Sequence, residues 1–126
     1  MTSRERIEQA IVGGTVDRLP YCFWYHFRTE AWFPQALHAE YRAPAREPIL
    51  QQYVEGMSRA TYEFWRRYQP DLLKVMHDIP YETPEGLPFV RSADDWAKLT
   101  PLEPDRGHFG AQIEMLRRLR ALVPDE

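Results

Sequence analysis

The sequence predicts an α/β fold in which two strands flank one long helix, and three observations lead there. An aromatic, apolar run at 21–25, a helix-period stretch at 49–68 and a second short apolar run at 71–78 follow one another without any internal repeat. Strand, helix, strand in that order forms a βαβ unit, whose crossover requires parallel strands and lays helix over one of their faces. Two parallel strands alone keep both edges open and lack the helices that would bury them from both sides. A length of 126 residues fits one domain or a piece of a larger one, and with two open strands the expectation is the first part of a larger α/β domain.

Each element has a local reason. Thr2-Ser3-Arg4-Glu5 has the form of a capping box, and Ile7, Ala10 and Ile11 follow at helical spacing, so a first helix runs to Val12. Gly13 and Gly14 supply the left-handed backbone that ends it. Asp17-Arg18-Leu19-Pro20 leads into Tyr21-Cys22-Phe23-Trp24-Tyr25, which reads as a strand buried on both faces. Residues 28–48 contain Pro34, Pro44 and Pro48 without periodicity and are predicted as a long loop, with one helical turn near Ala36. Tyr53, Met57, Ala60, Phe64 and Tyr68 recur every three or four residues and share one face of the long helix. Pro70 stops that helix, and Pro80 closes the second strand at 71–78. Residues 81–91, with Pro84, Gly86 and Pro88, form a loop or small hairpin; Ser92-x-x-Asp95 caps a short helix that ends before Pro101. A last helix runs from about 107 to 122, with Ile113, Leu116 and Leu119 facing inward.

Composition narrows the function classes. Lys plus Arg number 16 against 19 Asp plus Glu, so there is no cationic excess to neutralise a phosphate backbone, and no nucleic acid partner is expected. The longest apolar run is strand-sized, far below the ~20 residues that span a bilayer, so no membrane partner is expected either. Cys22 is the single cysteine, and no charged-then-apolar leader opens the chain, which points to the cytoplasm. Cys22 lies inside an aromatic strand with no cation beside it in sequence, and reads as a small buried hydrophobe.

Two phrases carry a resemblance to a known family. Ser3-Arg4-Glu5-Arg6-Ile7-Glu8-Gln9-Ala10, then Gly14 and Asp17-Arg18-Leu19-Pro20, resembles the start of the uroporphyrinogen decarboxylase superfamily. Tyr68-Gln69-Pro70-Asp71-Leu72-Leu73-Lys74-Val75-Met76-His77-Asp78 resembles that family's second barrel strand, above all in its corrinoid-linked methyltransferase branch. The resemblance implies a (β/α)₈ TIM barrel, which typically needs ~250 residues. Residues 1–126 would then be a partial barrel: an N-terminal portion of two strands with their helices, and a fragment inactive by itself. It implies a cytoplasmic lyase that decarboxylates a tetrapyrrole in porphyrin biosynthesis without a cofactor, or a methyltransferase in which a zinc-bound thiol takes a methyl group from a corrinoid. No cofactor and no metal site are assigned to this chain; zinc and corrinoid belong to the complete methyltransferase-like barrel, whose metal motif would lie beyond residue 126.

The same resemblance singles out residues. Asp78 matches the aspartate by which the decarboxylases hydrogen-bond pyrrole N–H groups, and is the predicted catalytic residue, stabilising the charge that develops on a protonated pyrrole. The bland alternative is a carboxylate that caps a strand end or binds loop amides. Strand alternation sends His77 to the opposite face from Asp78, and Lys74 and Met76 to the same face. His26 and Arg28, just after the first strand, are the predicted substrate-binding residues. The family's two carboxylate-clamping arginines would fall on Tyr25 and Thr29, a departure that favours a divergent or methyltransferase-like member, and a loop shifted by one residue would let Arg28 serve as one clamp. The expected partners are a tetrapyrrole or a methylated small molecule, with a homodimer or the missing barrel half as protein partner. The rival reading is a non-catalytic interaction module that buries its open strands in a partner chain or a second copy, and a weaker third is a small tetrapyrrole carrier.

Overall fold

The computed structural model describes residues 1–34, 37, 47–83, 87 and 89–123. Four helices follow one another: α1 (Ser3–Ile11), α2 (Glu47–Tyr68), α3 (Ala93–Trp96) and α4 (Gly107–Leu122). Among the described residues there is no strand, so the expected α/β class, two strands of a TIM barrel, gives way to a helical fold. The turn predicted near Ala36 lies outside the described residues.

α1 begins as its sequence dictates. The Thr2 hydroxyl accepts the Glu5 N–H (3.2 Å) while the Glu5 carboxylate accepts the Thr2 N–H (2.8 Å), closing the capping box. These bonds from Thr2 hold the Glu5 carboxyl below its ordinary range. Beyond the helix Gly13 takes a positive φ of 72°, which a side chain would strain.

α2 is the spine. Leu50, Tyr53, Val54 and Met57 are buried along one face, and this face packs against α4. The inward face of α4 carries His108, Ala111, Gln112, Met115 and Leu119. Of the three residues expected there, Leu119 is buried, Ile113 is half-buried and Leu116 is 41% exposed. The core closes with Phe27, Phe33, Leu37 and Ile79, and Trp32, Phe64 and Val75 pack on its margin. Gly56 is required where Trp32 crosses α2, because a Cβ there would overlap the indole ring. α3 starts after Ser92, whose side chain makes no cap; Asp95 instead accepts the Arg91 N–H (3.0 Å) and pairs with Lys98 (2.8 Å), which brings its carboxyl down to about 2.

The two runs predicted as strands lie side by side. At one end the Tyr21 carbonyl accepts the N–H groups of Asp71 (3.0 Å) and Leu72 (3.5 Å); at the other the Phe27 N–H donates to the Asp78 carboxylate (2.9 Å). The runs therefore point the same way, as the crossover of α2 demands. Between those ends no ladder forms among the described residues. A parallel pair without neighbours on either side is the least stable kind of sheet, and here side-chain carboxylates take over the tethering. The first run is consequently not buried on both faces: Trp24 is 69% exposed, Tyr21, Phe23 and Tyr25 are also exposed, and Cys22, expected to be buried, is an exposed free thiol.

Candidate functional site

Side chains along the first run alternate. Phe23, Tyr25 and Phe27 turn toward α2, where each meets Phe64 at ring-centroid distances of 5.8, 5.5 and 6.2 Å. Trp24 and His26 turn the other way, toward Lys74 and Asp78 of the second run. Alternation in the second run also holds as expected: His77 leaves Asp78 and stacks on Tyr81 at 4.6 Å. Burial and the nearby Arg28 charge push the His77 imidazole below its ordinary range.

On the shared face, residues about fifty positions apart converge on Asp78, which is completely buried. His26 Nδ1 lies 2.5 Å from Oδ1, Arg28 Nε donates to the same oxygen at 3.3 Å, and the Phe27 N–H donates to Oδ2. The three residues singled out in the sequence, His26, Arg28 and Asp78, thus form one cluster. Sequence reasoning missed Trp24, whose indole N–H donates to His26 Nε2 at 3.2 Å. It also missed that Lys74 Nζ sits 3.0 Å from the centre of the Trp24 ring, a cation–π contact. The alternation that placed Lys74 with Asp78 would have placed Trp24 with His26 had it been extended to the first run.

The hydrogen bonds fix the imidazole's chemistry. An indole N–H can only donate, so Nε2 carries the lone pair and Nδ1 carries the proton given to Asp78. Asp78 accordingly orients the ring and leaves Nε2 as the basic nitrogen on the solvent side. The His26 side chain is 46% exposed and that of Arg28 35%, whereas that of Asp78 has no exposure, so an incoming ligand meets the imidazole and the guanidinium first.

The floor beneath the cluster is the α2–α4 packing. Tyr53, fully buried, donates its hydroxyl to Gln112 Oε1 at 2.5 Å. Burial, with the neighbouring Asp78 charge adding to it, pushes the phenol above its ordinary range. Ile79, immediately after Asp78, is also fully buried, which anchors the carboxylate to this floor. The His108 imidazole holds the chain leaving the cluster by its bond from Nδ1 to the Pro80 carbonyl (2.7 Å).

The clefts among the described residues lie elsewhere, and two of them flank α2. One of about 690 Å³ separates α2 from the start of α4, between Leu50, Val54, Arg106, Ala111 and Arg117, and none of its lining residues belongs to the Asp78 cluster. Another of about 290 Å³ lies on the α2 side of the first run, between Tyr25, Trp32, Phe64 and Tyr68. Among the described residues no group of three or more His, Cys, Asp or Glu side chains has an arrangement able to hold a metal ion, and no helix is long and apolar enough to cross a membrane. No family model, curated protein or solved structure matches the chain.

Proposed function

We propose that this chain supplies the ligand-facing polar cluster of a uroporphyrinogen decarboxylase-like enzyme, acting in tetrapyrrole decarboxylation or in corrinoid-linked methyl transfer, and that it is inactive by itself. The proposal starts from the resemblance of the two phrases at 3–20 and 68–78. The single observation that supports it is the meeting of His26 and Arg28 on the buried carboxylate of Asp78.

Each group has a part that its chemistry suits. The Arg28 guanidinium, exposed on one side, offers its free N–H groups to a substrate carboxylate. His26 Nε2 accepts an N–H from the ligand in place of Trp24. Asp78, held by three donors, is placed to stabilise positive charge on a ring lying over the imidazole; it acts through the field and through His26, since His26, Arg28 and the chain itself cover it. The chain alone turns nothing over because the aromatic row around Trp24 stands open to water, and bulk water weakens every one of these interactions.

An optical titration of the full chain with uroporphyrin, and separately with hydroxocobalamin, tests this reading. The expected result is a saturable spectral change with one of the two, weakened about tenfold in Arg28→Gln and in His26→Ala, a loss of roughly 1.4 kcal/mol each. No spectral change, or one that both variants retain in full, would overturn it.

A second reading, a non-catalytic module that docks to a partner chain or a second copy, is favoured by a different observation. Tyr21, Phe23, Trp24, Tyr25 and Leu72 are exposed together along two runs that have no ladder between them. Sedimentation at rising concentration separates the two: self-association that Trp24→Ser abolishes supports the module, and a monomer throughout with a porphyrin response supports the enzyme.

A further inference from the structure

We infer that Asp71 is a positioning residue that sets the register between the two runs and thereby brings His26 onto Asp78. The two aspartates make the same kind of tether at opposite ends of the second run. Asp71 Oδ2 accepts the Tyr21 N–H at 3.0 Å, and Asp78 Oδ2 accepts the Phe27 N–H at 2.9 Å, at sequence offsets of 50 and 51. Each carboxylate also binds guanidinium: Arg28 on Asp78, and both Arg18 and Arg6 on Asp71.

The Asp71 end is the more heavily built. Arg18 grips the carboxylate with two nitrogens, at 2.6 and 2.9 Å, while Arg6, itself buried, reaches Asp71 with one nitrogen and forks onto Asp17 with two others at 2.6 and 2.9 Å. This network ties α1, the turn at 17–18 and the start of both runs to one point. Burial opposes the charge on Asp71, yet Arg18, the Tyr21 N–H and Arg6 together hold its carboxyl well below the usual range.

Register rests on a few point tethers, the two aspartates, the Tyr21 carbonyl and hydroxyl and the Trp24–Lys74 contact, and of these the Asp71 carboxylate carries the most bonds. Where a ladder exists, a row of backbone bonds fixes which residues face each other; here the backbone bonds between the runs are confined to the Tyr21 carbonyl. A slip of one residue would turn His26 away and present Tyr25 or Phe27 to Asp78 instead. Asp71 touches none of the groups a ligand would meet, so its effect on the cluster passes through the position of the first run.

The test reads the pairing itself, not activity, so it stands or falls independently of the tetrapyrrole reading. In the ¹⁵N-labelled full chain, His26 is expected as the Nδ1–H tautomer with a low-field Nδ1 proton. In Asp71→Asn that proton signal is expected to lose more than half its intensity and the Phe27 amide to shift, while the amides of Met57 and Met115 keep their positions. A purely structural role would lower the melting temperature and leave the His26 tautomer unchanged in the folded protein, and that result overturns the inference. Should Asp71→Asn fail to fold, Arg18→Gln decides: a change of the same sign at His26 and Phe27 supports the inference, and no change at either overturns it.

Discussion

The α2–α4 pair and the pair of runs at 20–27 and 71–79 are built from opposite materials. The helices meet through Tyr53, Met57, Ala111 and Met115, all buried, and their backbone groups are satisfied within each helix. The runs meet through carboxylates, guanidinium groups and an imidazole, and their large apolar side chains stand partly in water. A helix needs only one covered face to be stable in a domain, whereas a strand needs neighbours for its backbone as well. Charged side chains reaching across the gap can hold two runs together where neighbours are lacking, but they do so at separate points, with open backbone between.

Four perturbations put this contrast to the test. The largest effect is expected from Met57→Ala, which empties space in the fully buried helix interface; stability should fall by about 3 kcal/mol in a denaturant titration followed by far-ultraviolet circular dichroism. Next comes Tyr53→Phe, which leaves Gln112 Oε1 without its buried donor and should cost about 2 kcal/mol, with a shift of the Asp78 amide as the local sign that floor and cluster are coupled. Thr2→Ala removes the cap of α1 and should cost about 1 kcal/mol, measured by the same titration, and should disturb the Asp71 end before the Asp78 end because Arg6 lies on α1.

The smallest global effect, and the one most confined to the runs, is acidification. The Arg6 bond pulls the Asp17 carboxyl well below its usual range, and Asp71 is depressed as well. Their contribution to stability is full above the unfolded carboxylate value of ~3.9 and is lost as pH falls through the lower folded values. Amide spectra recorded as pH is lowered below ~4 should show Tyr21 moving while Met57 and Met115 stay; simultaneous movement of all three would mean that the runs and the helix pair form one cooperative unit.

The helices were legible in the sequence and the runs only in part. α1 follows from four residues in a capping box, and α2 from a period of three to four, because these signals are local and the helix needs no distant partner to form. The face of α4 was misjudged for a related reason: counting leucines favoured Leu116, whereas the buried side carries His108 and Gln112, polar groups whose partners, Pro80 and Tyr53, lie far away in sequence. For 21–25 the aromatic run reads as a strand buried on both faces, but whether such a run pairs depends on what else stands beside it, which no local pattern encodes. The same premise puts Cys22 inside, whereas it is an exposed thiol. At the cluster, the family resemblance and the ends of the two runs point to Asp78, His26 and Arg28, while the complete burial of Asp78 rests on donors about fifty positions away.

Trp24 gives the cluster one more property. Its indole N–H occupies His26 Nε2 from the water side and is itself mostly exposed, so a visiting N–H that takes its place exchanges one hydrogen bond for another, and the released indole is immediately rehydrated. The nitrogen is in effect stoppered by a plug held by one exchangeable hydrogen bond and by the Lys74 contact on its ring, and any occupant that removes the plug announces itself in the fluorescence of the same residue.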